Sequence, residues 1–520
     1  MMRTPLPARL TPLATELGVT PLYGDIHNHC ALSYGHGSLE TALDRASLQL
    51  DFVSITGHAA WPDMPVDDPS VAHIVDFHVK GFAKLKQGWE AHFDTLASRE
   101  KPGVFSVFPG YEIHSCTHGD YTIVYADLEP DEIALADSPS ALKQELGARQ
   151  DRRALAFPHH IGYRTGARGI NWSTFDRELS PFVEMFSMHG CAETSESGQS
   201  YLHSMGPVDG GSTMQSGLKS GKRFGIVGNT DHHSGFPGSY GHGRTCVYSR
   251  GRDRNDIWDG LMAARTNALT GDTTHLLTCI GDQIQGGTIP PQDNARMQIE
   301  AVAGGFIDHI DIFKNGALIE RISPDLTPSP VPAGTGSGIE TVLFLELGWG
   351  ARRTSHDWTG GIEIADGEVF GVEPRFRGAE IVSPLEGQES NHSLPKLELE
   401  DGRISFSVTA EANPNNVTSA TQGLLIRFMA RPDTMIRADL CGAKLGIPAA
   451  RLFEGALSGN LGPIDSPAYR FHTLPLPQQW QWAGFANLGD LGDGDNVYTR
   501  LTQRDGQRAW TSPIFCGGAA

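Results

Sequence analysis

No run of 18 consecutive apolar residues occurs anywhere in the sequence, and the opening stretch MMRTPLPARLTPLATELGVTPLYG has no apolar segment of signal-peptide length. Both absences point to a cytoplasmic protein with no membrane partner. Thiol chemistry is sparse: Cys30, Cys116, Cys191, Cys246, Cys279, Cys441 and Cys516 form an odd, scattered set with no CxxC spacing. That pattern excludes a thiolate zinc cluster and fits reduced thiols better than a disulfide framework. Positive charge is in deficit, 41 Lys and Arg against 61 Asp and Glu, for a formal charge of −20. Such a surface repels phosphate backbones, which argues against a nucleic-acid partner and for a small-molecule substrate; a homo-oligomer stays open. Sequons begin at Asn171, Asn391 and Asn416, and without a secretory signal they carry no expected modification. A chain of 520 residues exceeds one ordinary core, so two to three domains are expected.

What is abundant is histidine, and its distribution is uneven. Of 21 histidines, 17 precede residue 280, and only His309, His356, His392 and His472 follow. In that first half, β-rich apolar runs end repeatedly in a polar cluster: LYGDIHNH, FVSITGH, VFSVFPGYE, ALAFPHH, FVEMFSMHG and FGIVGNTDHH. In the first of them His27 and His29 share a strand face while Asn28 points away. Taken alone, such a pair fits a hydrogen-bonded core as well as a ligand pair. Six clusters at corresponding strand ends point instead to a multinuclear metal site, because packing would have to compensate every buried imidazole and carboxylate separately. The candidates are His27, His29, His36, His58, Glu112, His118, His159, His160, His189, Asp231, His232 and His233. Imidazole and carboxylate without thiolate accommodate Zn, Mn or Fe.

Between the runs there is room for helices. Ser38 caps a stretch with Leu39, Ala42, Leu43, Ala46 and Leu50 at helical spacing, and residues 71–97 carry Ile74, Phe77, Leu85, Trp89, Phe93 and Leu96 in the same way. Strand and helix alternating over about 260 residues predict an α/β barrel with its site at the C-terminal strand ends. One joint breaks the rhythm: only eight residues separate Glu112 from YTIVYADL, too few for a crossover helix. Beyond about residue 285 the pattern becomes short alternating strands, with a hairpin signal at Asn315-Gly316 and a Pro- and Gly-rich loop at 323–338. The domains expected are therefore a catalytic barrel, 1–284, and an antiparallel β-sandwich, 285–520, serving as scaffold.

The motifs GDIHNH, ITGH, GYE, FPHHIG and NTDHHSG, in that order, resemble those of the PHP (polymerase and histidinol phosphatase) metallohydrolases. Downstream, FVEMFSMHGCAE, GFPGSYGHGRTCVY, LMAARTNALTGD and DWTGGIEIADGEVFGVEP resemble a subgroup with a C-terminal β domain related to carbaryl hydrolases. The resemblance implies a distorted (β/α)7 barrel with two or three divalent metals. It places the ligands on His27, His29, His58, Glu112, His118, His160, Asp231 and His233, with His36 as a third ligand of the first motif and His159 as the alternative to His160. Gly57 departs from it, standing where the family has aspartate, which puts the third metal in question. The implied activity is hydrolysis of an ester or carbamate by a metal-activated water, with Asp231 accepting the proton and His189 or His233 assisting the leaving group. Arg164, Arg168, His242 and Arg244 are the candidate substrate contacts. A phosphoesterase and a non-catalytic metal-binding protein are the alternatives.

Overall fold

The apolar runs of the first half form strands, and most of the polar clusters sit at or just beyond their ends. The computed structural model describes residues 11–129, 132–149, 152–324, 338–380, 384, 393–412 and 420–518. Strands β1 (Thr20–Asp25), β2 (Phe52–Ala60) and β3 (Ser106–Ile113) pair in parallel. Their crossovers are helices α1 (Leu39–Gln49) and α2 (Ala72–Arg99). Ser38 caps α1, its hydroxyl accepting from the Thr41 amide at 3.2 Å. The periodic apolar positions Leu39, Ala42, Leu43 and Ala46 of α1 and Leu85, Trp89, Phe93 and Leu96 of α2 are the buried ones, as the spacing predicts.

At the irregular joint the chain has no crossover, so β4 (Tyr121–Tyr125) returns antiparallel to β3, and β5 (Ala154–Pro158) runs antiparallel to β4 after helix α3 (Pro139–Gly147). Strands β6 (Phe182–Ser187) and β7 (Gly225–Gly228) pair in parallel in a sheet of their own. The main sheet continues from β1 into antiparallel β8 (Arg244–Ser249) and β9 (Thr266–Leu269). Leu22, Phe52, Phe108, Val124, Leu155, Phe182 and Val227, one from each of β1 to β7, meet in a single buried cluster. The fold is thus mixed α/β around a common core, but not a regular alternating barrel. No helix follows β3 or β5, and among the described residues no backbone ladder joins β5 to β6 or β7 to β1. Hydroxyls instead hold β7 to β9, β8 and the C-terminal segment: Thr266 and Thr245 donate to the Ile226 and Gly228 carbonyls at 2.8 and 2.7 Å, and Ser512 accepts from the Ile226 amide at 2.9 Å.

In the second half, two five-stranded antiparallel sheets, which include strands Ile339–Trp349 and His356–Ala365, pack face to face over Leu343, Leu345, Ile362, Phe406, Ile426 and Ile436. The hairpin Ile307–Lys314 and Ala317–Ile322 turns at Asn315 (φ +52°) and Gly316 (φ +76°), the left-handed pair that a tight two-residue turn requires. The chain then returns to the first half. Arg508–Thr511 pairs with β9, and Ile299, Ile310, Leu501 and Ile514 share a core with Leu13, Tyr23, Cys246 and Leu269. Trp510 is fully buried and donates to Glu193 at 2.9 Å, and Arg500 binds the same carboxylate oxygen at 2.7 Å. All seven cysteines are unpaired, and no helix among the described residues is long and apolar enough to cross a membrane. Asn391, His392, Asn416 and most of the 323–338 loop lie outside the described residues.

Truncation after residue 285 removes the strand paired with β9 and opens the shared core, so the fragment is expected in the insoluble fraction. Trp510→Ala should cost about 3–5 kcal/mol in urea denaturation, since it leaves a cavity and takes a donor from Glu193.

Candidate metal centre

The site is assembled by zipping two loops together. The Asp231 amide donates to the His27 carbonyl and the His29 amide to the His232 carbonyl, both at 2.8 Å, and the His36 amide reaches the His233 carbonyl at 2.8 Å. Asp25, at the end of β1, is wholly buried and accepts from the Thr230 hydroxyl (2.5 Å) and amide (3.2 Å) and from the Gly238 amide (2.9 Å). From α1, Arg45 donates to the Ser234 and Gly235 carbonyls and Gln49 to that of Pro237. Asp231 itself takes φ +51°, a left-handed conformation in which aspartate is one of the better tolerated side chains.

On this frame four ligand atoms crowd together: His27 Nε2, His29 Nε2, Glu112 Oε2 and Asp231 Oδ1. The imidazole nitrogens are 3.3 Å apart. His27 lies 3.2 Å from Glu112 and 3.4 Å from Asp231, and His29 lies 3.3 and 3.0 Å from the same two oxygens. Donors bound tetrahedrally at about 2.0–2.2 Å stand about 3.3–3.6 Å from one another. Five of the six edges of the quartet, at 3.0–3.4 Å, are thus close to those of a coordination tetrahedron, and these residues fit a divalent ion.

Both carboxylates serve more than one group of imidazoles. Glu112 Oε2 is also 3.7 Å from His58, while its Oε1 faces His114 at 3.4 Å and His159 at 3.2 Å. His159 Nε2 is buried and makes no aligned hydrogen bond despite that distance, which suits two ligands of one ion better than a donor and its acceptor. Asp231 Oδ2 faces His189 at 2.9 Å. His29, His58 and His233 form a further group, as do Asp120, His159 and His160.

Partners on the far ring nitrogens orient the imidazoles. His27 Nδ1 binds Glu184 at 2.8 Å, His58 Nδ1 binds the Ser33 hydroxyl at 3.0 Å, and His159 Nδ1 binds the Thr122 hydroxyl at 2.9 Å. Burial opposes ionisation of Glu112, yet His159, His58 and His114 hold its carboxyl well below the usual range; His27 and His189 do the same for Asp231. Burial also disfavours charge on His27, but Asp231 and Glu184 push its pKa well above the ordinary value. The centre thus attracts positive charge. His58 and His233 are driven well below the ordinary value by burial and by neighbouring imidazoles, and their neutral rings keep lone pairs free for an ion.

Of the residues singled out in the sequence, His27, His29, His58, Glu112, His159, His160, His189, Asp231 and His233 come together. His36 and His118 belong to none of these groups. His36 is held by its backbone at the loop zipper, and His118 pairs with Thr174 at 3.2 Å in a separate cleft of about 680 Å³. His232 stacks on His242, whose ring binds Ser239 and Glu380. Arg244 is buried and committed to the Gly238 carbonyl and Gln49; burial lowers its pKa to about 10. Arg164 is exposed. Arg168 reaches the centre, bound to Asp120 and His114, with its guanidinium 4.0 Å from Glu112. His309, His356 and His472 are in no group. Gly57 faces the other side of β2, where a Cβ would stand 2.7 Å from Leu85, so the missing aspartate leaves no gap among the ligands.

The sequence reading missed His114, Asp120 and Glu184. His114 shares the face of Glu112 two residues on, a signal present in GYEIH. Asp120 precedes its strand because β4 runs backwards, which brings its N-terminal end to the site. Glu184 is the lone charge within FVEMFS.

His27→Ala and Asp231→Ala should lose bound metal by elemental analysis, whereas His36→Ala and His118→Ala should keep the full complement. Glu184→Gln should weaken metal affinity about 10–100-fold in a chelator titration, because His27 loses the partner that sets its tautomer.

No family model matches the chain, and no curated protein matches it. Among solved structures, it is similar to a two-domain protein from Bacteroides vulgatus ATCC 8482 containing a predicted PHP-like metal-dependent phosphoesterase, at 13% identity and a TM-score of 0.31 over 86% of this chain and 99% of that one. It is also similar to PsfC from Pseudomonas syringae PB-5123, at 16% identity and a TM-score of 0.29 over 47% of this chain and 90% of the other.

Proposed function

We propose that the chain is a divalent-metal-dependent hydrolase of the PHP type, holding two or three Zn, Mn or Fe ions and cleaving a small-molecule ester or carbamate. The observation that carries this reading is the buried quartet His27, His29, Glu112 and Asp231 at coordination-tetrahedron spacing, with both carboxylates turned toward further imidazoles. His27, His29, Glu112 and Asp231 would hold one ion, and His58, His114, His159, His160, His233 and Asp120 complete the neighbouring positions. When bound, the ions supply a water whose pKa is near 7 and a positive field for charge developing on the leaving oxygen.

The chain's own groups manage the proton. Asp231 Oδ2 binds His189 Nε2 at 2.9 Å, and the Tyr163 hydroxyl binds His189 Nδ1 at 2.5 Å. Burial lowers the His189 pKa against the pull of Asp231, so the ring stays neutral, donating from Nε2 and accepting at Nδ1. A proton taken at Asp231 can pass to Nε2 once the ring is in its other tautomer, with Nδ1 donating to the Tyr163 oxygen. His233 has its Nδ1 tied to the Asp231 carbonyl at 2.9 Å, which suits it to ligation and leaves the proton to His189.

Two observations bear on the bond cleaved. Half-buried Tyr34, Trp61, Phe77 and Phe82 flank the His58 and His114 side of the centre: Tyr34 stacks on His58 at 3.6 Å and Trp61 lies 5.4 Å from His114. Such a wall suits an aryl ester or carbamate. Arg168, beside Glu112 and above the Trp61 ring, favours the second reading, a phosphoester.

Aryl acetates, aryl carbamates and nitrophenyl phosphate, assayed with the Mn²⁺- or Zn²⁺-loaded protein, separate the readings. Turnover of the first two, lost on chelation and in Asp231→Asn, is the expected result. Turnover of the phosphate alone selects the phosphoesterase, and no turnover at full metal content leaves a metal-binding protein without catalysis. Trp61→Ala should lower kcat/KM for an aryl acetate about three- to ten-fold, with an ethyl ester unaffected.

A further inference from the structure

Away from the metal centre, a cleft of about 540 Å³ lies at one edge of the sandwich, between the end of strand Ile339–Trp349 and the edge hairpin of Leu457–Asn460 and Pro467–Phe471. Its open aromatic surface is the Trp349 indole, which is 50% exposed and covered by no other ring or cation among the described residues. Trp349 sits at φ +55°, a left-handed conformation that a bulky side chain adopts only against strain, although Gly350, the residue suited to it, comes next. Strain of this kind marks a side chain whose placement is used. Around the indole stand Ser458, Asn460, Asp465, Ser466 and Arg470. Asp465 and Arg470 are exposed and make no ion pair among the described residues, either with each other or with a third group. The Asn460 amide nitrogen donates to the Ser466 carbonyl at 3.3 Å, and the Ser466 hydroxyl accepts from the Gly462 amide at 3.1 Å. The turn is thereby fixed, while the Asn460 oxygen, the Asp465 carboxylate and the Arg470 guanidinium are left to meet a ligand.

We propose that this cleft is a binding site for a neutral saccharide. The C–H face of a sugar ring packs on the flat indole, and its hydroxyls donate to the Asp465 and Asn460 oxygens and accept from Arg470. One carboxylate against one guanidinium gives the cleft no net charge. A purely apolar ligand would leave both of those groups desolvated and unpaired, and an anion would meet the Asp465 carboxylate. The volume suits a small molecule or a short stretch of a longer one. None of the lining residues belongs to a metal-ligand group, and nothing in the site depends on the hydrolase reading. The sandwich would then hold the chain on a saccharide as well as supporting the first half.

Isothermal titration of the full chain with cellohexaose, maltohexaose, xylohexaose and mannohexaose, with the corresponding monosaccharides, and with the acidic hexagalacturonate tests the site. Binding of at least one neutral sugar at a single site is expected. Equal affinity for its monosaccharide assigns the ligand as a free sugar, and tighter binding of the hexasaccharide assigns it as a chain; both support the proposal. Trp349→Gly, which accepts the left-handed backbone without strain, should weaken binding by about ten-fold or more, whereas Trp349→Phe, which keeps a flat ring, should stay within a few-fold of wild type. The Asp465→Ala/Arg470→Ala double variant, whose substitutions are on the surface, should also lose about ten-fold or more. No neutral sugar bound at millimolar concentration, equal affinity in Trp349→Gly or in the double variant, or hexagalacturonate bound more tightly than every neutral sugar would each overturn the proposal.

Discussion

Two buried carboxylates, Glu112 and Asp231, set the terms for the rest of the first half. Each is desolvated, each is held ionised by surrounding imidazoles, and each turns its two oxygens toward different sets of rings. Removing such charges from water costs several kcal/mol apiece unless compensated. The nitrogens and carboxylate oxygens stand 3.0–3.4 Å apart, so positive charge, as protons on the rings or as a metal ion, has to lie among them. The folded protein can carry this centre only because the loops that present it are overdetermined. Asp25, Arg45 and Gln49 are buried, but they bond to the backbone of residues 230–238 and so fix the segment that bears Asp231 and His233.

The strand topology explains why so many imidazoles converge. Parallel β1, β2 and β3 bring their C-terminal ends to one side, and with them His27, His29, His58, Glu112 and His114. Reversed β4 then delivers its N-terminal end to the same side, adding Asp120 as a ligand candidate and Thr122 as the partner of His159. A strictly alternating barrel would have had a helix connection at that joint and a different residue at the rim. Between β7 and β1 the loop zipper closes the gap in the backbone ladder, while threonine hydroxyls of β8 and β9 hold β7 in place.

The candidate metal ligands and the strands that pack behind them are divided along the chain. Every grouped ligand lies before residue 234, while the later strands close the core that β1, β8 and β9 leave open. Glu193 shows how closely the two are joined, since a carboxylate from the first half is satisfied by Tyr498, Arg500 and Trp510 from the last strands.

The sequence by itself determined the local elements and the residues at their ends. Helix periodicity behind Ser38, the Asn315-Gly316 turn and the polar clusters closing each apolar run depend on near neighbours in the chain, and near neighbours are what a sequence displays. It determined too that Glu112 and the next strand lie too close together for a crossover. Which imidazoles meet was decided by tertiary structure. His114 and His118 are equally plausible from spacing, but only His114 continues the inward face of β3; Asp120 became reachable only when β4 turned back; His36 carries the loop zipper on its backbone while its ring stays outside the ligand groups. The physical reason is that a ligand set needs atoms from widely separated segments to agree within a few tenths of an ångström. That agreement comes from strand direction, register and long-range hydrogen bonds, none of which is encoded by residue order within a single segment.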